Sequence, residues 1–143
     1  IQVSSIGGIS AFAGLGAYHA SKWALEGFSQ SLAAEVERFG THVTLIEPGG
    51  FSTDWGGASA KRTTELPEYE GLRADVARWR SERNAVPGNP EASAAAVLKI
   101  VDAEKPPLRV FFGSAPLQIA KTDYENRLRT WEEWQPVSEL AQG

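Results

Sequence analysis

Short β-branched runs alternate with longer runs of helical period along this chain, and that alternation constrains the fold more than any residue count does. "IQVSS" at residues 1–5 is strand-like and gives way to a loop of glycines and small side chains that lasts to Gly16. From Ala17 to Phe39 the apolar residues Ala20, Ala24, Phe28, Leu32 and Val36 recur every fourth position, joined by Trp23. This predicts a long helix closed by Gly40 as its C-terminal cap. "HVTLIEPGG" is a second strand, stopped abruptly by Pro48, Gly49 and Gly50. The stretch from Phe51 to Gly88 is looser, with a helix over Gly71–Ala85 suggested by Leu72, Val76 and Trp79. Asn89-Pro90-Glu91 has the chemistry of a helix start, and that helix carries Ala96, Val97, Ile100 and Val101 as far as Pro106 and Pro107. "LRVFFG" then reads as a buried strand and Ala115–Gln135 as a final helix bearing Ile119, Tyr124, Leu128, Trp131 and Trp134.

Strands that alternate with helices require crossover connections, and these build a parallel sheet with helices packed against it. The expectation is an α/β fold, one half of a doubly wound parallel sheet, spanning residues 1–143 as one partial domain with 51–88 as an insertion. At 143 residues and 42% hydrophobic, the chain can bury a core. Three strands make a narrow sheet, however, and no second hydrophobic pattern is available to cover its open edge. The sequence has no methionine and begins with Ile1, so a preceding segment is expected upstream.

Charge and composition exclude several classes of function. The net charge is -4 and no Lys/Arg run exceeds two, which is not the footprint of a protein that binds a phosphate backbone, so nucleic acid is not expected as a partner. The uncharged stretch Ile1–Ser21 holds too many glycines and hydroxyls for a membrane span and has no basic leader. Zero cysteines rule out disulfides and thiolate metal sites and fit a reducing, cytoplasmic setting. With only His19 and His42, far apart, no metal site is expected. His19 is expected to face away from any site as a solvated or packing residue, and His42 to be structural. Neither Ser5 nor Ser10 lies in Gly-x-Ser-x-Gly, which disfavours a serine hydrolase elbow.

"GAYHASKWALEGF" puts a phenol and an ammonium on one helical face, because Tyr18 and Lys22 are four residues apart. A free tyrosine loses its proton near pH 10, and a cation within about 4 to 6 Å favours the phenolate, which brings the group toward acid–base work. A full shift to neutrality takes about three units, roughly 4 kcal/mol, more than one partly solvated ammonium supplies. A second positive source is implied, and an oxidised nicotinamide ring would be one. Taken alone, the pair is also an ordinary exposed i,i+4 contact. It gains weight from Ser5, which stands at the end of the first strand, thirteen residues before Tyr18.

"VSS" at a strand end, Gly8 in the following loop, "YHASK" with the helix "WALEGFSQSLAAEV", and "VTLIEPGGFSTD" at the end of the next strand together resemble the short-chain dehydrogenase/reductase family. "PPLRVFFGS" resembles the last strand of members that act on small alcohols and carbonyls. The resemblance implies the C-terminal half of a Rossmann-like fold and an NAD- or NADP-dependent oxidoreductase. Its chemistry would be hydride transfer to or from a small alcohol or carbonyl compound, in a homo-oligomer, dimer or tetramer. It implies Tyr18 as general acid/base, Ser5 as the hydroxyl that steadies the substrate oxygen, and Lys22 as the residue that holds the cofactor ribose and tunes Tyr18. It also implies cofactor contacts from Pro48, Gly49, the backbone at Phe51 and Thr53, and a subunit interface on the first long helix.

Members of the family carry a glycine-rich phosphate turn, a residue that separates NAD from NADP, and an Asn-Asn-Ala-Gly segment, all upstream of the Ser strand. This sequence has none of them. The chemistry half is present without the half that grips adenine and pyrophosphate. Two other readings stay open: an epimerase or dehydratase of the extended branch, and a non-catalytic remnant that acts through subunit association. The aromatic residues Phe51, Trp55 and Tyr69 read either as the lining of a substrate lid or as an ordinary surface loop.

Overall fold

The computed structural model describes residues 1–58, 60, 63–82 and 86–143, Arg80 by its backbone alone. Three short strands, β1 (Gln2–Val3), β2 (Leu45–Pro48) and β3 (Arg109–Phe112), form a sheet in the order β1-β2-β3. Both pairings are parallel, with Gln2 opposite Leu45 and Ile46 opposite Val110. The connections are helical: α1 (Gly16–Val36) joins β1 to β2, α2 (Glu70–Glu82) and α3 (Ser93–Val101) lie between β2 and β3, and α4 (Pro116–Gln142) follows β3.

Strand alternation divides the core between the two faces of the sheet. Ile46, Val110 and Phe112 point to one face, where Ile100, Ala96 and Val97 of α3 cover them together with Phe51. Phe111 points to the other, where Ala120 and Ile119 of α4 pack with Ile6, Ile9 and Phe12. Glu47 and Arg109 share that second face and meet Glu26 of α1. Helices on both faces of a parallel sheet make this half of a doubly wound, Rossmann-like fold, as the sequence leads one to expect.

Local signals act as their chemistry predicts at several ends. Gly40 takes the left-handed conformation, φ 71°, after α1 and one further turn over 37–39. Asn89 accepts a hydrogen bond from the Glu91 N–H at 3.0 Å and so caps the turn that leads into α3. The 51–88 excursion is pinched at its base: Ser52 N–H donates to the Gly88 carbonyl and Gly88 N–H to the Gly50 carbonyl, each at 2.9 Å. Helix α2 starts at Glu70, and the expected C-terminal part at residues 83–85 lies outside the described residues.

The packing of two helices departs from simple apolar patterning. The four-residue apolar stripe of α1 faces outward, with Phe28 62% exposed and Trp23 also exposed, while the helix buries His19, Glu26 and Ser29. The helical period holds, and the inner face is polar: His19 meets the loop after β1 and Glu26 meets Arg109 of β3. Helix α4 does not stop near Gln135. It runs through Pro136 to Gln142, and Trp131 and Trp134 stand exposed along it. Among the described residues no helix is long and apolar enough to cross a membrane.

Candidate active site

A cavity of about 1070 Å³ opens beyond the C-terminal ends of the strands, where a parallel sheet brings its loops together. Ser5, Tyr18, Lys22, Pro48, Gly49, Phe51 and Thr53 all line it. Residues up to 48 positions apart in sequence thus share one chamber, all of them candidates from the sequence.

Ser5 leaves β1 in extended conformation and caps a single helical turn over Ile6–Gly8, its Oγ accepting the Gly7 N–H at 3.0 Å. The Ser5 hydroxyl also reaches the Pro48 carbonyl at 3.5 Å, the outer limit of a hydrogen bond. One lone pair of Oγ is engaged by the backbone while its hydrogen has only this weak acceptor. Such a hydroxyl can turn to donate to a carbonyl oxygen in the cavity.

Tyr18 projects from the first turns of α1. Its ring lies so close to the loop that a Cβ on Gly7 would stand 2.9 Å from Tyr18 Cε1, which leaves room there for glycine and nothing larger. Trp55 meets the Tyr18 ring edge to face, centroids 5.2 Å apart at 62°. One turn further along α1, Lys22 Nζ stands 5.9 Å from the centre of the Tyr18 ring. It donates to the carbonyl of Val3, the last residue of β1, at 3.0 Å. An ammonium has three donors, so this tether holds it over the chamber while leaving donor capacity for a ligand.

The floor comes from the end of β2. Gly49 N–H donates to the Phe112 carbonyl at 2.9 Å, and a side chain at Gly49 would meet Pro116 at 2.8 Å, so the backbone there passes tightly against the start of α4. Phe51 folds back onto Gly88 and onto the α3 face of the core. Thr53 caps the short turn Asp54–Gly56, its Oγ1 accepting the Trp55 N–H at 3.5 Å.

The expectation that His19 faces away from the site is overturned. His19 is 5% exposed and borders the same cavity, with one ring nitrogen 2.7 Å from the Gly7 carbonyl and the other accepting the Phe12 N–H at 2.9 Å. The signal was present in the spacing, since 19, 22, 26 and 29 recur on one helical face and carry His, Lys, Glu and Ser. Phe12, Val76, Trp79 and Ile119 complete largely apolar walls. Beneath the site, Arg109 Nε lies 3.0 Å from Glu26 Oε2 and 3.4 Å from Glu47 Oε1. Burial raises Glu47 to a pKa of about 7, the neighbouring Glu26 charge adds to this, and Arg109 opposes it. Among the described residues there is no group of three or more His, Asp or Glu side chains able to hold a metal ion.

Residues 1–64 match the family model described as short chain dehydrogenase. The chain is 37% identical over 138 residues to Oxidoreductase BOA17 of Botryotinia fuckeliana, covering 96% of this chain and 50% of that protein. It is 38% identical over 119 residues to a 3-ketodihydrosphingosine reductase of Bacteroides thetaiotaomicron, covering 79% of this chain and 43% of the other. A crystal structure of a short-chain dehydrogenase from Streptomyces avermitilis superposes with a TM-score of 0.81 at 36% identity, covering 97% of this chain and 50% of that one. The chain spans about half the length of the curated relatives it matches.

Proposed function

Because this chain belongs to the short-chain dehydrogenase/reductase family of oxidoreductases, we propose that it is the catalytic half of an enzyme that moves a hydride between NAD or NADP and a small alcohol or carbonyl compound. One observation carries the reading: Ser5 from the loop just past β1 and Tyr18 and Lys22 from the start of α1 line a single cavity at the C-terminal edge of the sheet.

The residues fit the nicotinamide end of such a cofactor. The chamber is large enough, Gly49 and Gly50 bring bare backbone to its floor, and Lys22 keeps donor capacity for ribose hydroxyls. When bound, the nicotinamide supplies or accepts the hydride. The rest falls to this chain. In the reductive direction Tyr18 Oη gives its proton to the carbonyl oxygen, and in the oxidative direction it takes the proton of the alcohol. Ser5 Oγ–H turns from the Pro48 carbonyl to the substrate oxygen and stabilises its developing charge. Lys22, held by the Val3 carbonyl, brings its positive charge and its remaining donors to the cofactor side of the chamber. Pro48, Gly49, Phe51 and Thr53 border the position of the nicotinamide and orient it.

Apolar walls from Phe12, Val76, Trp79 and Ile119 support a substrate with an apolar body. The exposed Phe28 on the outer face of α1 supports association of subunits, as a dimer or tetramer. The test is turnover by the whole protein that carries this chain with Tyr18→Phe, read beside cofactor affinity.

A further inference from the structure

We propose that His19 is a positioning residue, which sets Ser5 and the Tyr18 ring in register by stapling the loop after β1 to helix α1; the proposal rests on the catalytic reading of Ser5 and Tyr18 given above. A backbone N–H can only donate, so the Phe12 amide fixes His19 Nε2 as an acceptor at 2.9 Å. The proton of the imidazole then lies on Nδ1, which donates to the Gly7 carbonyl at 2.7 Å. One rigid ring thus ties two points of the loop, five residues apart, to the helix that carries Tyr18.

What the ring holds is the neighbour of both reacting side chains. Gly7 donates its N–H to Ser5 Oγ at 3.0 Å, and its Cα packs where any Cβ would stand 2.9 Å from Tyr18 Cε1 and 3.0 Å from His19 Nδ1. A displacement of Gly7 therefore moves the Ser5 hydroxyl and the support of the Tyr18 ring together. The far side of the loop is held independently by α4, where Ser10 Oγ donates to Asp123 Oδ2 at 3.1 Å and Arg127 reaches the Ile9 carbonyl at 3.3 Å. Loss of the His19 staple consequently leaves the loop attached but free to shift against Tyr18. Few side chains replace this one. The site takes a donor and an acceptor on opposite edges of a flat group, and asparagine or glutamine reproduces at most one of the two positions.

The test uses the whole protein that carries this chain. His19→Phe keeps a ring and removes both bonds; kcat is expected to fall at least about tenfold with cofactor affinity held within about twofold, since misplacement of a catalytic group acts on the chemical step. His19→Asn, which keeps a donor near Nδ1, is expected to recover part of the loss. Because His19 acts through Ser5, the cost of His19→Phe should shrink severalfold in a Ser5→Ala background. An equal cost in both backgrounds, or an unchanged kcat in His19→Phe, overturns the inference. Should the variants fail to fold, nitrogen NMR of the unmodified protein decides: a proton on Nδ1 supports the staple, and a proton on Nε2 overturns it. Turnover that survives Tyr18→Phe would overturn the catalytic reading itself, whereas turnover lost in Tyr18→Phe but kept in His19→Phe overturns only the role of His19.

Discussion

The indole of Trp55 stands edge to face on the phenol of Tyr18, centroids 5.2 Å apart, so the ring that carries the hydroxyl proposed to react forms part of an aromatic wall. Aromatic pairs of this geometry contribute about 0.5–1.5 kcal/mol beyond the area they bury. Trp55→Ala is expected to raise KM for bulky apolar substrates up to about tenfold while kcat changes less, and Trp55→Phe to keep most of the affinity. Steady-state kinetics with a series of ketones of increasing size checks this, and an unchanged KM across the series would remove Trp55 from the substrate wall.

Lys22→Met keeps the aliphatic stem and deletes the ammonium that is tied to the Val3 carbonyl. The proposed function predicts a fall in kcat/KM of at least about 100-fold, because the positive charge beside the reacting centre and the ribose contacts are lost together. Fluorescence titration with the reduced cofactor should show weakened binding as well. Retained affinity together with retained turnover would contradict the role given to Lys22.

Glu47 is fully buried and shares Arg109 with Glu26. Its carboxyl titrates near 4.5 when unfolded and near 7 when folded, so between those values the folded state binds the extra proton. Stability from this group is therefore present at the acid end of the window and declines as pH rises, by at most about 1.4 kcal/mol per unit, until the loss is complete above pH 7. Glu47→Gln removes the titration. Urea unfolding at pH 5 and pH 8 should find the variant close to the original protein at pH 5 and more stable at pH 8, and the reverse order would refute the assignment.

Gly88 closes the base of the excursion against Phe51, where a Cβ would come within 2.7 Å of the ring. Gly88→Ala forces that ring out of the contact it makes with the α3 core, and overpacking of this kind costs about 1–3 kcal/mol. A lowered thermal midpoint is expected, with KM rising because Phe51 also lines the cavity. An unshifted midpoint would mean that Phe51 is free to move aside.

The sequence made the order of elements and the chamber readable for different reasons. Strand-to-helix alternation, the Gly40 cap and the Asn89 cap are local signals, and local chemistry decided them. That Ser5, Tyr18, Lys22 and the Pro48–Thr53 segment share one chamber was readable through the resemblance their motifs bear together to a known family, since the Tyr18–Lys22 spacing alone also fits an exposed contact. The orientation of α1 was not. Its outward residues Ala20, Ala24 and Phe28 are the apolar ones, and its inward His19 and Glu26 are buried only because partners from distant segments, the Gly7 carbonyl, the Phe12 amide and Arg109, meet them. Hydrophobic periodicity registers no such partners. The length of α4 was hidden likewise, since Pro136 reads as a stop while the structure carries the helix past it without tertiary cover.

Turnover of the whole protein with Tyr18→Phe measures the central claim most directly, because the substitution removes one oxygen and leaves the ring among Gly7, His19 and Trp55. Loss of the proton donor is expected to lower kcat by about 10²- to 10⁴-fold with cofactor affinity nearly unchanged. A variant that turns over at the rate of the unmodified protein would contradict the account, for no phenol would then be carrying the proton.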